Sequence, residues 1–320
     1  MNTLKKFLPL FLAAAVICMA LLFVVYFNDY ERAGEHWTPA SPLTHETARF
    51  TTDMGAEGDY LITVEKVSSK YPLLFVEYQP PGIIMQSTIH SDDGTIRLDQ
   101  RFADEGEYRI TVQHTIHPNH NEVINFTVQT PLFKYANDAA LSLLLLLAGW
   151  VSGRRLRQLF VAVLLCIVVT AAPSSGWAHG HGGKPLMVTG DEMVKLSWLH
   201  HPPDGFANSA PLEWSVQLRN GGELVESVPF HLEIVHSESH FPVLSLSGVT
   251  VDGTIPLRYS PPDGTDYQLL LEAVVAGRLY HLGVDATAKA IQPTVLRKWQ
   301  SFALMLIPLL IGMVVGWRRG

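Results

Sequence analysis

The sequence predicts a mainly β protein with added transmembrane α-helices: two antiparallel β-sandwiches, each flanked by membrane spans, laid out as a tandem duplication. Three observations predict it. Four apolar windows interrupt the chain, the segments between them alternate apolar and polar residues in short runs, and one stretch recurs 159 residues downstream.

The windows are Phe7 to Phe27, Ala136 to Gly153, Gln158 to Trp177 and Trp299 to Trp317. About 20 apolar residues cross a hydrocarbon layer of about 30 Å, which the first and last windows satisfy. The third has a shorter apolar centre, in the range of a secretory signal core, and the small residues Gly176 and Ala178 follow it. Retention as a span and cleavage after Ala178 are both open on this pattern. Lys5 and Lys6, then Arg154, Arg155 and Arg157, then Arg318 and Arg319 mark three loops or tails as cytoplasmic. The expected placement is a multi-pass bacterial inner-membrane protein with both β domains, residues 28–135 and 178–298, outside the cytoplasm. The membrane is one expected partner and a protein in the membrane or periplasm another. A formal charge of −7 over 320 residues, with its 30 acidic residues outside or at the outer end of a span, is a poor surface for nucleic acid. Both cysteines, Cys18 and Cys166, fall in apolar windows, so the β domains have neither a disulfide nor a thiolate metal site.

The strands follow from period-two alternation. "YLITVEK", "PLLFVEY", "MQSTIH", "TIRLD", "EYRITVQHTI" and "EVINFTVQ" are separated by Gly-, Asp- and Pro-rich turns; "LEWSVQLRN", "FHLEIVH", "TIPLRY", "DYQLLLEAVV" and "RLYHLGVDA" repeat the style. Alternation buries one face of each strand, which two packed antiparallel sheets satisfy. Asp93 to Val112 and Asp252 to Leu271 share seven of 20 positions, beginning with "DGTI" in each. The shared Tyr108 and Tyr267 stand where a tyrosine corner would place them, ring inward and hydroxyl on a turn carbonyl, which makes the sandwiches immunoglobulin-like.

Candidate chemistry rests on 14 histidines, clustered at His179 and His181, at His231, His236 and His240, and at His114, His117 and His120. Imidazole is a common ligand for copper and zinc. His179 and His181 flank a glycine, and cleavage after Ala178 would add an amine to that pair. His231 shares a strand face with Glu233, and His236 and His240 join it only if the following turn folds back. His114 points to a core and His117 with His120 to a hairpin turn. No nucleophile elbow, zinc-protease helix or phosphate-cradling loop is present, so no enzyme is expected.

"PFHLEIV", "HFP" and "DGTIPLRYSPPDGTDYQLLLEA", spanning about residues 229–273, resemble bacterial extracytoplasmic β-sandwich domains of the YtkA-like kind. The resemblance implies copper or heavy-metal handling, with His231, and after it His236 and His240, as ligands. The expected function is therefore transition-metal handling or sensing, copper before zinc, with His179, His181, His231, His236 and His240 as the ligand set. The alternative is a non-catalytic structural or assembly subunit whose sandwiches contact other proteins.

Overall fold

The structure is a computed structural model that describes residues 35–36, 42–44, 46–69, 79–155, 194–200, 212–220, 223–237, 240–261, 266–287 and 295–319. The first repeat carries β1 (Glu35–His36), β2 (Thr47–Asp53), β3 (Gly58–Ser69), β4 (Gly82–Ser91), β5 (Thr95–Arg101), β6 (Gly106–His114) and β7 (Asn121–Val128), then helix α1 (Leu132–Arg155). The second carries β8 (Val194–His200), β9 (Leu212–Asn220), β10 (Glu223–Leu224), β11 (Pro229–His236), β12 (Pro242–Val249), β13 (Thr254–Tyr259), β14 (Asp266–Val275) and β15 (Arg278–Thr287), then helix α2 (Val295–Arg319). The strands sit where alternation put them; the run "PLLFVEY" lies outside the described residues.

Burial follows the alternation strand by strand. In β14 every second residue, Tyr267, Leu269, Leu271, Ala273 and Val275, is buried, and the residues between them face out. β3 buries Tyr60, Ile62 and Val64 in the same way. A fully buried Val, Leu or Ile side chain stabilises by about 1.5–3 kcal/mol over its exposed state, so each such row is a substantial driving force.

The expected pair of separate sandwiches is corrected by the strand pairing. One track of strands runs β7-β6-β3-β4-β13-β9-β8 and a second runs β1-β2-β5-β12-β11-β14-β15. Each track crosses from one repeat to the other, through β4–β13 in the first and β5–β12 in the second. The physical reason lies in the turn that joins β4 to β5. These consecutive strands enter different tracks and do not pair with each other, so a lone repeat would leave an edge of each open. Open edges invite pairing, and the counterpart strands β12 and β13 occupy them.

The crossing is two-fold in its register. Leu98 pairs with Leu246 and Ser87 with Leu257; the 159-residue offset converts each pair into the other. Asp99 with Ser245 and Gln86 with Arg258 are related in the same way. The two turns that begin "DGTI" are also equivalent, and their glycines, Gly94 at φ 76° and Gly253 at φ 67°, take a conformation that L side chains rarely adopt. One apolar core runs through both repeats, from Phe50, Phe102 and Phe126 to Leu257, Leu269 and Leu271. Phe50 of β2 lies 5.0 Å from Phe126 of β7, centroid to centroid, so the tracks face each other across this core.

The membrane expectation is also corrected. The windows 136–153 and 299–317 do form helices, but among the described residues no helix is long and apolar enough to cross a membrane. Windows 7–27 and 158–177 lie outside the described residues. The multi-pass inner-membrane placement and the orientation built on it fall with the spans. Part of the apolar content that suggested spans is committed to a contact between α1 and α2. Leu141, Leu145, Ala148 and Leu309 are buried, and four glycines bring the backbones together. A Cβ at Gly149 would stand 2.2 Å from the Leu309 carbonyl oxygen and one at Gly153 2.3 Å from that of Met313. Reciprocally, Gly312 would meet the Leu146 oxygen at 2.1 Å and Gly316 the Trp150 oxygen at 2.3 Å. Residues four apart share a helix face, so each helix offers one glycine seam to the other.

Candidate functional site

The outer face of the second track is where the candidate chemistry collects. Cross-strand register pairs Thr51 (β2) with Arg97 (β5), and it sets Ser247 (β12), His231 (β11), Glu272 (β14) and His281 (β15) in one polar row; Arg97 and Ser247 line the same groove. A second row beside it holds Arg49, Asp99, Ser245 and Glu233 before turning apolar at Leu270. The small serines of β12 leave a depression between the longer side chains of β5 and β11. The result is a groove of about 500 Å³ lined by Arg49, Thr51, Arg97, Asp99, His231, Ser245 and Ser247. It lies across the junction, with β2 and β5 from one repeat and β11 and β12 from the other.

The groove's walls are held by side-chain bonds. Arg49 donates through Nε and Nη2 to both oxygens of Asp99 at 2.7–2.9 Å, a two-pronged ion pair. His231 Nε2 lies 3.1 Å from Glu233 Oε1, and Nδ1 lies 2.8 Å from Ser247 Oγ. A carboxylate only accepts, so Nε2 donates to Glu233, while Nδ1 is within hydrogen-bond distance of the Ser247 hydroxyl. This chain orients the imidazole over the groove floor.

The strand separates the histidines that the sequence grouped. His231 is half-exposed on the outer face, whereas His236, five residues on, points inward, is buried, and meets the Tyr267 ring edge-on at 5.7 Å. His240 is exposed in the turn, at φ 58°, its N–H donating to the His236 carbonyl oxygen at 2.8 Å. His179 and His181 lie outside the described residues. Among the described residues no group of three or more His, Cys, Asp or Glu side chains is placed to hold a metal ion. In the first repeat, His114 is buried against Tyr60, and its Nδ1 accepts the N–H groups of Ile116 and His117 at 3.2 and 3.4 Å. It closes the β6–β7 turn.

A second cluster, which the sequence reading passed over, is buried beneath the first repeat. Lys66 is inaccessible to solvent; its Nζ donates to Asp104 Oδ2 at 2.6 Å and to the Gln79 carbonyl oxygen at 2.7 Å, and it lies 5.8 Å from the Tyr108 ring centroid. Tyr108 donates to the Asp104 carbonyl oxygen at 2.5 Å, the tyrosine-corner bond expected of it. Burial first, and then the Asp104 charge, push its phenol well above the usual range. The register makes His236 the counterpart of Lys66, since Lys66 pairs with Tyr108 and His236 with Tyr267. The signal was present in the sequence: a lysine at an inward position of "YLITVEK" requires a buried acid.

The far end of the same outer face is different in character. Leu270, Val274 and Leu279 are exposed there, with Val274 and Leu279 directly paired. Among the described residues β15 pairs with β14 alone, so its other edge is open over ten residues.

No protein-family model matches the chain, and no curated protein matches it. Among solved structures it is similar to the three N-terminal domains of the bacteriophage RB49 Highly Immunogenic Outer Capsid protein, at 7% identity over 77% of this chain and 71% of that one, with a TM-score of 0.20. It is likewise similar to the two tandem V-type regions of VCBP3, a v-region-containing chitin binding protein, at 7% identity over 81% and 98%, TM-score 0.20. The titin domains z1z2 in complex with telethonin give 6% identity over 82% and 93%, TM-score 0.18. Likeness at these TM-scores carries no argument about this chain.

Proposed function

We propose that this protein is a non-catalytic contact protein that takes up an extended segment of a partner polypeptide along β15. The observation that carries the reading is the exposed Leu270, Val274 and Leu279 patch beside a ten-residue strand edge that is open among the described residues. Natural sheets blunt long edges with lysine, proline or a covering element. β15, "RLYHLGVDAT", contains neither lysine nor proline. An added strand gains affinity from main-chain hydrogen bonds and specificity from alternate side chains. Here those would meet Leu279 and, across it, Val274. Metal handling has less support: two of its ligands lie outside the described residues, and His231 and His236 project from opposite faces of β11.

The test is a photo-crosslinking amino acid at His281, introduced into the full chain in its native cells, with the crosslinked segment of the adduct sequenced by mass spectrometry. The reading expects one recurrent peptide of a different protein, lost when Leu279→Lys is added. Crosslinks only to a second copy, or the same adducts with Leu279→Lys, overturn it.

A further inference from the structure

The groove over Ser245 and Ser247 has a built-in control, because the duplication supplies its structural counterpart elsewhere in the molecule. Register and the 159-residue offset place Leu61 where His231 stands, Thr88 for Ser247, Pro256 for Arg97 and Arg258 for Asp99. The shared architecture therefore accepts a leucine at the His231 position and a proline at the Arg97 position. Arg97 and His231 are not required to build the sheet crossing, and both line the same groove.

The charges of the groove are unequally matched. Arg49 is held by Asp99, and His231 faces Glu233. Arg97 is exposed, and among the described residues it makes no ion pair. It pairs with Thr51 on β2 and lines the groove together with Ser247 and His231, so two hydroxyls and an oriented imidazole share the groove with its guanidinium. A planar fork of N–H donors with hydroxyls beside it is suited to an oxyanion. The groove's volume falls within the range of small-molecule sites, which is larger than a bare inorganic ion needs.

We propose that this groove is a binding site for a small hydroxylated molecule bearing a carboxylate or phosphate, with Arg97 gripping the anionic group and Ser247, Thr51 and His231 supplying further polar contacts. The site is independent of the β15 edge and of the partner proposed for it. It joins the repeats chemically, since Arg97 and Thr51 come from the first and Ser247 and His231 from the second.

The test is calorimetric titration of the full chain with glucuronate, glucose 6-phosphate and glucose in parallel. The first two are expected to bind and glucose to bind at least about tenfold more weakly, the effect of losing one charge-assisted hydrogen bond. The ratio of the two anions distinguishes a carboxylate ligand from a phosphate ligand. Arg97→Gln, at an exposed position, is expected to weaken anion binding at least about tenfold, and circular dichroism and melting of the same sample verify that it folds. Pro256→Ala, at the counterpart position, is expected to leave binding unchanged. Equal binding of glucose, undiminished binding by Arg97→Gln in a folded protein, or no heat from either anion at millimolar concentration overturns the proposal.

Discussion

His90 of β4 and Val249 of β12 pair directly, and they are the same residue of the two repeats, 159 positions apart. A pair made of equivalents lies on the local two-fold relation between repeats. Next to it, Ile89 and Gly248 are also equivalents, and a Cβ on Gly248 would stand 3.0 Å from the Ile89 Cβ. Two side chains do not fit where one position meets its own counterpart. The first repeat keeps an isoleucine there, buried to 0% exposure, and the second keeps no side chain.

Gly248→Val is therefore expected to destabilise the protein by about 1–3 kcal/mol, the usual cost of overpacking. Ile89→Ala alone is expected to cost about 2–5 kcal/mol through the cavity it leaves. Combined, the two should cost less than their sum, because the valine fills space that the isoleucine vacates. Urea unfolding of the four proteins measures the coupling; simple additivity would contradict the contact.

Lys66 offers a second energetic test. Its removal leaves Asp104 as a buried charge without its ammonium partner, so Lys66→Ala is expected to cost about 3–5 kcal/mol. Lys66→Met with Asp104→Leu removes both charges at similar volume and should recover most of that loss. Equilibrium unfolding in urea compares them.

The α1–α2 seam predicts an asymmetric response to added bulk. Gly312→Leu places a side chain on the Leu146 carbonyl and must push the helices apart, whereas Val314→Leu, at an exposed position of the same helix, should leave them in place. Hydrogen exchange of α1 amides reports the difference: faster exchange is expected only for Gly312→Leu.

Tyr135, at the start of α1, donates to Glu105 Oε2 at 2.7 Å and ties the helix to the β5–β6 turn. Burial first, and then the bond to Glu105, push its phenol up to about 12. The raised value means the neutral phenol is favoured in the folded state. Its contribution is complete below the ordinary tyrosine value near 10 and is lost as pH climbs toward about 12. Tyr135→Phe should lower the melting temperature at pH 8 and make less difference at pH 12. An equal difference at both pH values would contradict the tether.

How much of this was legible in the sequence depends on what each signal encodes. Alternation reports which face of a strand is buried, so the strands of both repeats and the inward Tyr108 were readable. It carries no information on which strand lies alongside, so the exchange of β4 and β5 for their counterparts was not. Hydropathy of a window reports apolar content but not what covers it. That is why 136–153 and 299–317 read as spans, although the spacing of Gly149 with Gly153 and of Gly312 with Gly316 marked a helix seam. His231 was found as a candidate, but with neighbours in sequence, His236 and His240, that the strand turns away. Its neighbours in space come from other strands: Ser247, which the pairing register sets opposite it, and Arg97, which lines the same groove.

The central structural claim is that the repeats share their sheets, and cross-linking of Gln86 to Arg258 tests it most directly. The two residues lie opposite each other on β4 and β13, at a cross-strand spacing of about 4.5–5.5 Å between Cβ atoms. With Cys18 and Cys166 replaced by serine, Gln86→Cys with Arg258→Cys should form a disulfide within one chain on mild oxidation, identified by peptide mass. Two accessible thiols that stay unlinked would contradict it, returning the protein to two sandwiches folded apart.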